Sequence, residues 1–186
     1  YEIVGGDTMF GKLMSGKVFI TGASSGIGAA LAIEYAKRGA TLGISARRSE
    51  KLQSVARQCK ESGAADVFTY TLDVTDQDSS ADTAKEFIAA ANGIDIIIAN
   101  AGVAYSDKIS SGEATQINQV FSTNVLGVTN SIIPFVPTMK ENSSGKIVII
   151  SSIASFRPIA FHGGYSASKS AVRMLADSWR MALKKY

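Results

Sequence analysis

The stretch KVFITGASSGIGAALAIEYAKRG, residues 17–39, joins a short apolar run to a helical period through glycines at positions 22, 26 and 28. Glycines at such a junction allow a tight turn and the close approach of a pyrophosphate, whose charge meets unpaired N–H groups at the helix start. The spacing TGxxxGxG differs from the commoner GxGxxG. Its context, after a strand and before a helix, favours a dinucleotide-binding turn over an ordinary glycine turn.

Outward from this stretch, apolar runs alternate with helical periods along the whole chain. The runs predict strands at 17–21, 40–46, 66–72, 94–100 and 145–151, and the periods predict helices at 26–38, 49–62, 76–91, 113–140 and 164–185. This alternation predicts an α/β fold with a doubly wound parallel sheet. The segment VTDQDSSAD (74–82) supplies caps for the third helix, and Pro134 and Pro137 are predicted to kink or end the fourth.

Composition limits the classes of protein that fit. The 186 residues suit one domain with one buried core, in which residues 1–15 form an N-terminal extension without a usable pattern. The single Cys59 excludes an internal disulfide, and no apolar run reaches ~18 residues, so we expect a cytoplasmic protein without a membrane span. The net charge of +3 is scattered, which predicts no nucleic-acid partner. Cys, His and carboxylate residues do not cluster at the spacing of metal ligands, so we predict no metal site.

The end of the second predicted strand bears on cofactor choice. Proteins that bind NAD usually carry an acidic residue about 20 residues after the glycines, where this chain has Ala46, Arg47 and Arg48. A guanidinium can bind a 2′-phosphate in bidentate fashion, so the sequence favours NADP(H) over NAD(H). The alternative is a pair of solvated arginines. Ser24 and Ser25 could donate further hydrogen bonds to the phosphate.

Near the carboxyl end, Tyr165 and Lys169 stand four residues apart at the start of the last predicted helix. Residues at i and i+4 share a helix face, so both side chains point the same way. Taken alone, a packed tyrosine beside a solvated lysine explains the pair.

Six motifs together resemble the short-chain dehydrogenase/reductase family. They are TGASSGIG, Asp73-Val74, NAG at 100–102, STNVLG around Asn124, IISS ending at Ser152, and YSASK at 165–169, in the order and spacing of that family. The resemblance covers residues 16–186. It implies a Rossmann-type fold and hydride transfer between a nicotinamide cofactor and a small-molecule carbonyl or alcohol. With the preference indicated by Arg47 and Arg48, we expect an oxidoreductase that uses NADP(H) on a carbonyl or secondary alcohol.

The resemblance also implies roles for single residues. Tyr165 matches the general acid/base; an isolated tyrosine ionises near pH 10, and the Lys169 cation favours its phenolate form. Ser152 matches the serine that polarises the substrate oxygen, with Ser151 as the alternative if the register shifts by one. Asn124 matches the asparagine that helps to hold a water in a proton relay. Together with the residues of the glycine turn and the two arginines, the predicted cofactor-binding set is Gly22, Ser24, Ser25, Gly26, Ile27, Gly28, Arg47, Arg48, Asp73, Val74, Asn100, Ala101, Gly102, Tyr165 and Lys169.

The chain departs from the family pattern in two ways. Ala99 replaces the first asparagine of NNAG, and the family's later strands and substrate-covering helix are not present, so we expect a sheet without its C-terminal strands. One alternative is a non-catalytic regulatory or scaffolding protein that binds a nucleotide on the same fold. A sugar-nucleotide epimerase relative is disfavoured by its glycine spacing.

The resemblance further implies a homodimer or homotetramer built on the helices at 113–140 and 164–185. Apolar residues that could form the contact, or pack on their own sheet instead, are Val120, Phe121, Val125, Met174 and Met181.

Overall fold

The centre of the fold is a five-stranded parallel sheet. The computed structural model describes residues 16–107 and 109–186, so the predicted extension at 1–15 lies outside the described residues. The strands of the sheet are β1 (Lys17–Thr21), β2 (Thr41–Ala46), β3 (Asp66–Thr71), β4 (Ile96–Ala99) and β5 (Lys146–Ile149). They lie side by side in the order β3-β2-β1-β4-β5. The strand order therefore reverses between β1 and β4, where doubly wound sheets bind their ligands. The predicted α/β fold is confirmed.

Helices cover both faces of this sheet, because alternate residues of each strand point in opposite directions. They are α1 (Gly26–Ala36), α2 (Ser49–Glu61), α3 (Gln77–Ala91), α4 (Thr115–Glu141) and α5 (Gly163–Ala182). Val18 and Ile20 pack with α1 and α2 on one face. Phe19 packs on the other face with Phe87 of α3 and Phe135 of α4. The predicted cap is present, since Asp76 accepts a hydrogen bond from the backbone N–H of Ser79.

The fourth helix is irregular at two places. A π-helical turn spans Ser122–Leu126 and a 3-10 turn spans Ile133–Phe135, around Pro134. The helix nevertheless continues to Glu141. Pro137 falls in the first turn of its last segment, Val136–Glu141, where a missing N–H costs little. The prolines thus distort this helix without ending it.

By length and composition alone, α4 could cross a membrane, with a mean hydropathy of 1.2 over its best 18-residue window. The core helix of a globular protein passes the same test, and Val128, Ile132 and Phe135 of α4 are buried against the sheet. The absence of a membrane span and the cytoplasmic location stay predictions.

The five apolar residues suggested for an oligomer contact divide into two groups. Val120 is buried and Val125 packs against the core, so these two serve the protein's own sheet. Phe121, Met174 and Met181 are 37%, 63% and 72% exposed, and they leave an apolar surface on α4 and α5. The homo-oligomer stays a prediction, now carried by these three residues.

Candidate cofactor cleft and active site

A cleft of about 430 Å³ lies at the carboxyl ends of the strands, across the point where strand order reverses. Segments that are far apart in sequence meet there, because the carboxyl ends of parallel strands share one edge of the sheet. Thirteen predicted site residues line the cleft: Gly22, Ser24, Ser25, Ile27, Arg47, Arg48, Asp73, Val74, Asn100, Ala101, Gly102, Tyr165 and Lys169. Four predicted residues, Gly26, Gly28, Asn124 and Ser152, do not line it.

The glycine turn packs tightly against the segment that follows β4. Gly22 has a φ of +68°, and a Cβ there would lie 2.7 Å from the Cα of Ala101. Gly28 is buried, and a Cβ on it would lie 2.6 Å from the carbonyl oxygen of Gly22. Gly28 therefore acts by letting α1 approach the turn rather than by facing the cleft. Gly26 has a φ of +57° with open space around it, so it serves the turn's conformation alone.

Asn100 fixes this segment to β1. Its side chain donates a hydrogen bond to the carbonyl oxygen of Thr21 at 2.9 Å, and its backbone N–H donates to the Thr21 hydroxyl at 3.1 Å. Sequence reasoning did not assign Thr21 a role, because its partner lies 79 residues along the chain.

The two arginines after β2 take different positions. Arg48 extends across the glycine turn, where its Nη2 donates to the hydroxyls of Ser24 at 3.0 Å and Ser25 at 2.7 Å. Arg47 forms an exposed ion pair with Asp73 at 3.7 Å. A cation and two hydroxyls thus meet at one end of the cleft, an arrangement suited to an anion.

Tyr165 and Lys169 lie at the other end of the cleft, after β5. Lys169 is only 5% exposed; its Nζ donates to the carbonyl oxygen of Ile150 at 2.8 Å and stands 5.8 Å from the centre of the Tyr165 ring. Burial lowers the pKa of Lys169. A solvated lysine therefore does not explain the pair. The ammonium keeps two further protons to donate into the cleft.

The structure separates the roles open to the two adjacent serines. The Ser151 hydroxyl lines the cleft but donates to the carbonyl oxygen of Lys169 at 3.1 Å. The Ser152 oxygen accepts from the backbone N–H of Ala154 at 3.2 Å, which leaves its own proton available. Ser152 does not line the cleft, and its role as donor to a substrate oxygen stays a prediction.

Asn124 is fully buried in the π-helical turn. Its Oδ1 accepts from the backbone N–H of Val103 at 2.8 Å, and its Nδ2 donates to the Val103 carbonyl at 2.9 Å and to the Ser168 hydroxyl at 3.1 Å. Both amide protons are engaged, so the side chain holds α4, α5 and the segment after β4 together. Its predicted part in a water relay stays a prediction.

Several wall residues were missed by sequence reasoning. Leu72, Val103 and Ala104 belong to no chemical motif, and only their position next to strand ends could have indicated them. Thr123 and Ile150 lie within the motifs STNVLG and IISS, which gave them no role of their own. Within residues 16–107 and 109–186 no three His, Cys, Asp or Glu side chains converge as metal ligands, and the lack of a metal site stays a prediction.

The buried Lys169 leads to a prediction about stability and pH. Its pKa is lowered in the folded protein but ordinary in the unfolded chain, which therefore binds more protons between the two values. We expect the wild-type protein to gain stability relative to Lys169→Met as the pH rises toward about 10, where an ordinary lysine titrates. Urea unfolding of both proteins measures the difference. The exposed Lys51→Met is the matched control, and a constant difference across this range would contradict the expectation.

Comparison with known proteins agrees with this geometry. The model of the short chain dehydrogenase family matches residues 16–186. An uncharacterized oxidoreductase of Myxococcus xanthus is 34% identical over 89% of the chain and 65% of its own length. Dehydrogenase/reductase SDR family member 7 of Mus musculus is 33% identical over 91% of the chain and 51% of its own length. The chain thus spans half to two thirds of these relatives.

Solved structures show the same likeness. An alcohol dehydrogenase of Thermococcus sibiricus, complexed with 5-hydroxy-NADP, superposes with a TM-score of 0.85 at 30% identity over 91% of this chain and 72% of that one. A short chain dehydrogenase/reductase of Burkholderia phymatum, in complex with NAD, gives 0.86 at 29% identity over 92% and 62%.

The sheet order and the cleft at its switch point define a Rossmann-type nucleotide-binding fold. Within that class, the chain belongs to the short-chain dehydrogenase/reductase family of oxidoreductases. Solved relatives were determined with either cofactor: a metagenomic short-chain oxidoreductase, 29% identical, in complex with NADP, and the Burkholderia phymatum protein in complex with NAD.

Proposed function

We propose that the protein containing this chain is an NADP(H)-dependent oxidoreductase that interconverts a small carbonyl compound and its secondary alcohol. One observation carries the proposal: a single cleft holds Tyr165 and Lys169 at one end and Arg48 with two serine hydroxyls at the other. This pairing suits a dinucleotide that lies across the sheet edge, with its phosphate end at β2 and its reactive end at α5.

The residues at the phosphate end fit a 2′-phosphate. The Arg48 guanidinium and the hydroxyls of Ser24 and Ser25 supply positive charge and donors, and they already contact one another. The second strand ends in Ala46, so the ribose-binding carboxylate typical of NAD proteins does not follow β2. Gly22 lies in the turn that would face the pyrophosphate, while Gly26 and Gly28 allow the conformation of that turn and its close packing against α1.

The residues at the reactive end fit proton transfer to an oxygen. The nicotinamide, when bound, supplies or accepts the hydride. In the direction of reduction, the Tyr165 hydroxyl gives its proton to the substrate oxygen as the carbonyl carbon gains the hydride, and the carbonyl π electrons form the new O–H bond. Lys169 stabilises the phenolate that remains, and it has protons to donate to the nicotinamide ribose. The Ser152 hydroxyl donates to the same substrate oxygen.

The proposal is tested with the full-length protein and a panel of small ketones. Oxidation of NADPH is followed through its absorbance band near 340 nm. We expect the rate with NADPH to exceed the rate with NADH by about tenfold or more, at equal sub-saturating concentrations of the two cofactors. Tight NADPH binding without turnover of any panel member would contradict the oxidoreductase proposal. It would favour the regulatory nucleotide-binding alternative.

Cofactor choice gives a separate prediction. We expect Arg48→Glu to weaken NADPH binding by about 100-fold, or about 2.7 kcal/mol, because a carboxylate then faces the 2′-phosphate. NADH lacks that phosphate, so its affinity should change little. Fluorescence titration measures both dissociation constants. Arg57→Glu is the matched control, since Arg57 is exposed on helix α2, which follows Arg48, and lies outside the cleft. Equal losses for NADPH and NADH would contradict the assignment.

A further inference from the structure

Helix α5 begins only two residues before Tyr165, and its first turn has no cap of its own. His162, at the N-cap position, makes no side-chain capping bond, and the first turn carries no acidic residue. The first N–H groups of any helix lack partners within the helix. Here two of them are met from elsewhere: the Asp107 carboxylate accepts from Gly163 N at 3.1 Å and from Gly164 N at 2.5 Å.

The backbone of Asp107 binds the same turn. Its N–H donates to the carbonyl oxygen of Phe161 at 2.7 Å. Phe161 has a φ of +60°, a left-handed conformation that bulky residues rarely adopt. One residue thus makes three hydrogen bonds to the turn that leads into α5. The hydrogen bond from Gly164, aided by that from Gly163 and by nearby His162, lowers the pKa of Asp107 and keeps the carboxylate ionised.

The helix start is also packed closely on its other side. A Cβ on Gly164 would lie 3.2 Å from Cγ2 of Ile117 in α4 and 3.3 Å from Oδ2 of Asp107. The first turn of α5 is therefore held between α4 and the carboxylate. A shift of this turn would carry Tyr165 with it.

Asp107 lies in the segment that follows β4, and the first residues of that segment form the cleft wall. The segment is anchored to β1 through Asn100 and to α4 through the bonds between Val103 and Asn124. The hydrogen bonds of Asp107 are a third anchor, which holds the same segment to the start of α5. It connects the cleft wall directly to the helix that carries Tyr165.

We propose that Asp107 is a positioning residue that sets the place of Tyr165 relative to the cofactor cleft. The inference rests on the proposed function, because it requires Tyr165 to be the proton donor. Loss of a capping carboxylate weakens the first turn of a helix. A displacement of about 1 Å in a reacting group can cost about 10²-fold in rate, so the effect should fall on kcat.

The kinetic test uses the full-length protein with NADPH and 4-nitroacetophenone, a ketone whose reduction gives a secondary alcohol. We expect Asp107→Ala to lower kcat by about 10- to 100-fold, with both KM values changed less than about threefold. Asp107→Asn should recover most of the loss, because its amide oxygen still accepts one of the bonds. The matched control is Asp76→Ala, which removes the equivalent cap of α3 away from α5 and should keep the wild-type kcat.

A spectroscopic test needs no turnover. Tyrosine labelled with ¹³C at Cζ is incorporated, and the Tyr165 signal in the NADP⁺ complex is assigned by its loss in Tyr165→Phe. We expect Asp107→Ala to shift and broaden this signal, whereas Asp76→Ala leaves it in place. An unchanged Tyr165 signal, or equal losses of kcat in the two alanine variants, would overturn the inference.

The two proposals fail in distinguishable ways. If Tyr165→Phe keeps its turnover, the proposed function and the role of Asp107 fall together. If Tyr165→Phe abolishes turnover while Asp107→Ala has the wild-type kcat, only the role of Asp107 falls.

Discussion

Replacing Tyr165 by phenylalanine is expected to lower kcat by about 10³-fold, within the range that a positioned general acid contributes. The ring still packs at the start of α5, so the fold and the cleft are preserved. Only the hydroxyl is lost, and with it the proton for the substrate oxygen. The dissociation constant of NADPH should change less than about threefold, because the Arg48 end of the cleft is untouched.

Stopped-flow and steady-state measurements of NADPH oxidation, with a titration of NADPH fluorescence, test this expectation. Tyr35→Phe is the matched control, since Tyr35 is a half-buried tyrosine of α1 that packs in the core. It should keep the wild-type kcat. A Tyr165→Phe protein that retains more than about a tenth of the wild-type kcat would contradict general acid catalysis by this residue.

Replacing Gly22 by alanine should have the largest effect on cofactor binding. The residue has a φ of +68°, which costs an alanine about 1–2 kcal/mol. The new Cβ would also lie 2.7 Å from the Cα of Ala101, and backbone atoms cannot move aside cheaply. Overpacking of this kind adds about 1–3 kcal/mol. We expect a total loss of about 2–5 kcal/mol in unfolding free energy and, with the turn displaced, at least about 100-fold weaker NADPH binding.

Gly26→Ala separates the two causes. Gly26 has a similar φ of +57°, but a Cβ there meets no heavy atom within 4 Å. The Gly26→Ala protein should therefore lose only the conformational cost, about 1–2 kcal/mol of unfolding free energy. Urea unfolding and NADPH titration of both variants give the comparison. If the two variants lose equal stability, the close approach of Ala101 has no energetic importance.

The secondary structure was largely legible in the sequence, because it depends on local periodicity. The five strands and five helices lie within a few residues of the predicted ranges. The glycine turn was also recognisable, since its residues are contiguous and positive φ angles select for glycine. Most cofactor-site residues follow strand ends, so a parallel sheet brings them to one edge automatically.

The functional detail needed the tertiary structure. Ser151 and Ser152 are adjacent, and the sequence left their roles open; the structure shows that the Ser151 proton is engaged by the Lys169 carbonyl. The π-helical turn at Asn124 had no periodic signature, because its geometry depends on contacts with Val103 and Ser168.

The hydrogen bonds of Asp107 are the clearest case of contacts that only the tertiary structure decided. Its partners Gly163 and Gly164 lie 56 and 57 residues away, and no local pattern connects an aspartate in an irregular segment to a helix start so distant. By itself the sequence determined the elements, their alternation and the chemistry of single motifs, because these follow from short-range periodicity and residue type. The tertiary structure decided which side chains contact each other and which are already hydrogen-bonded. These contacts depend on distant segments of the chain returning to the same edge of the sheet.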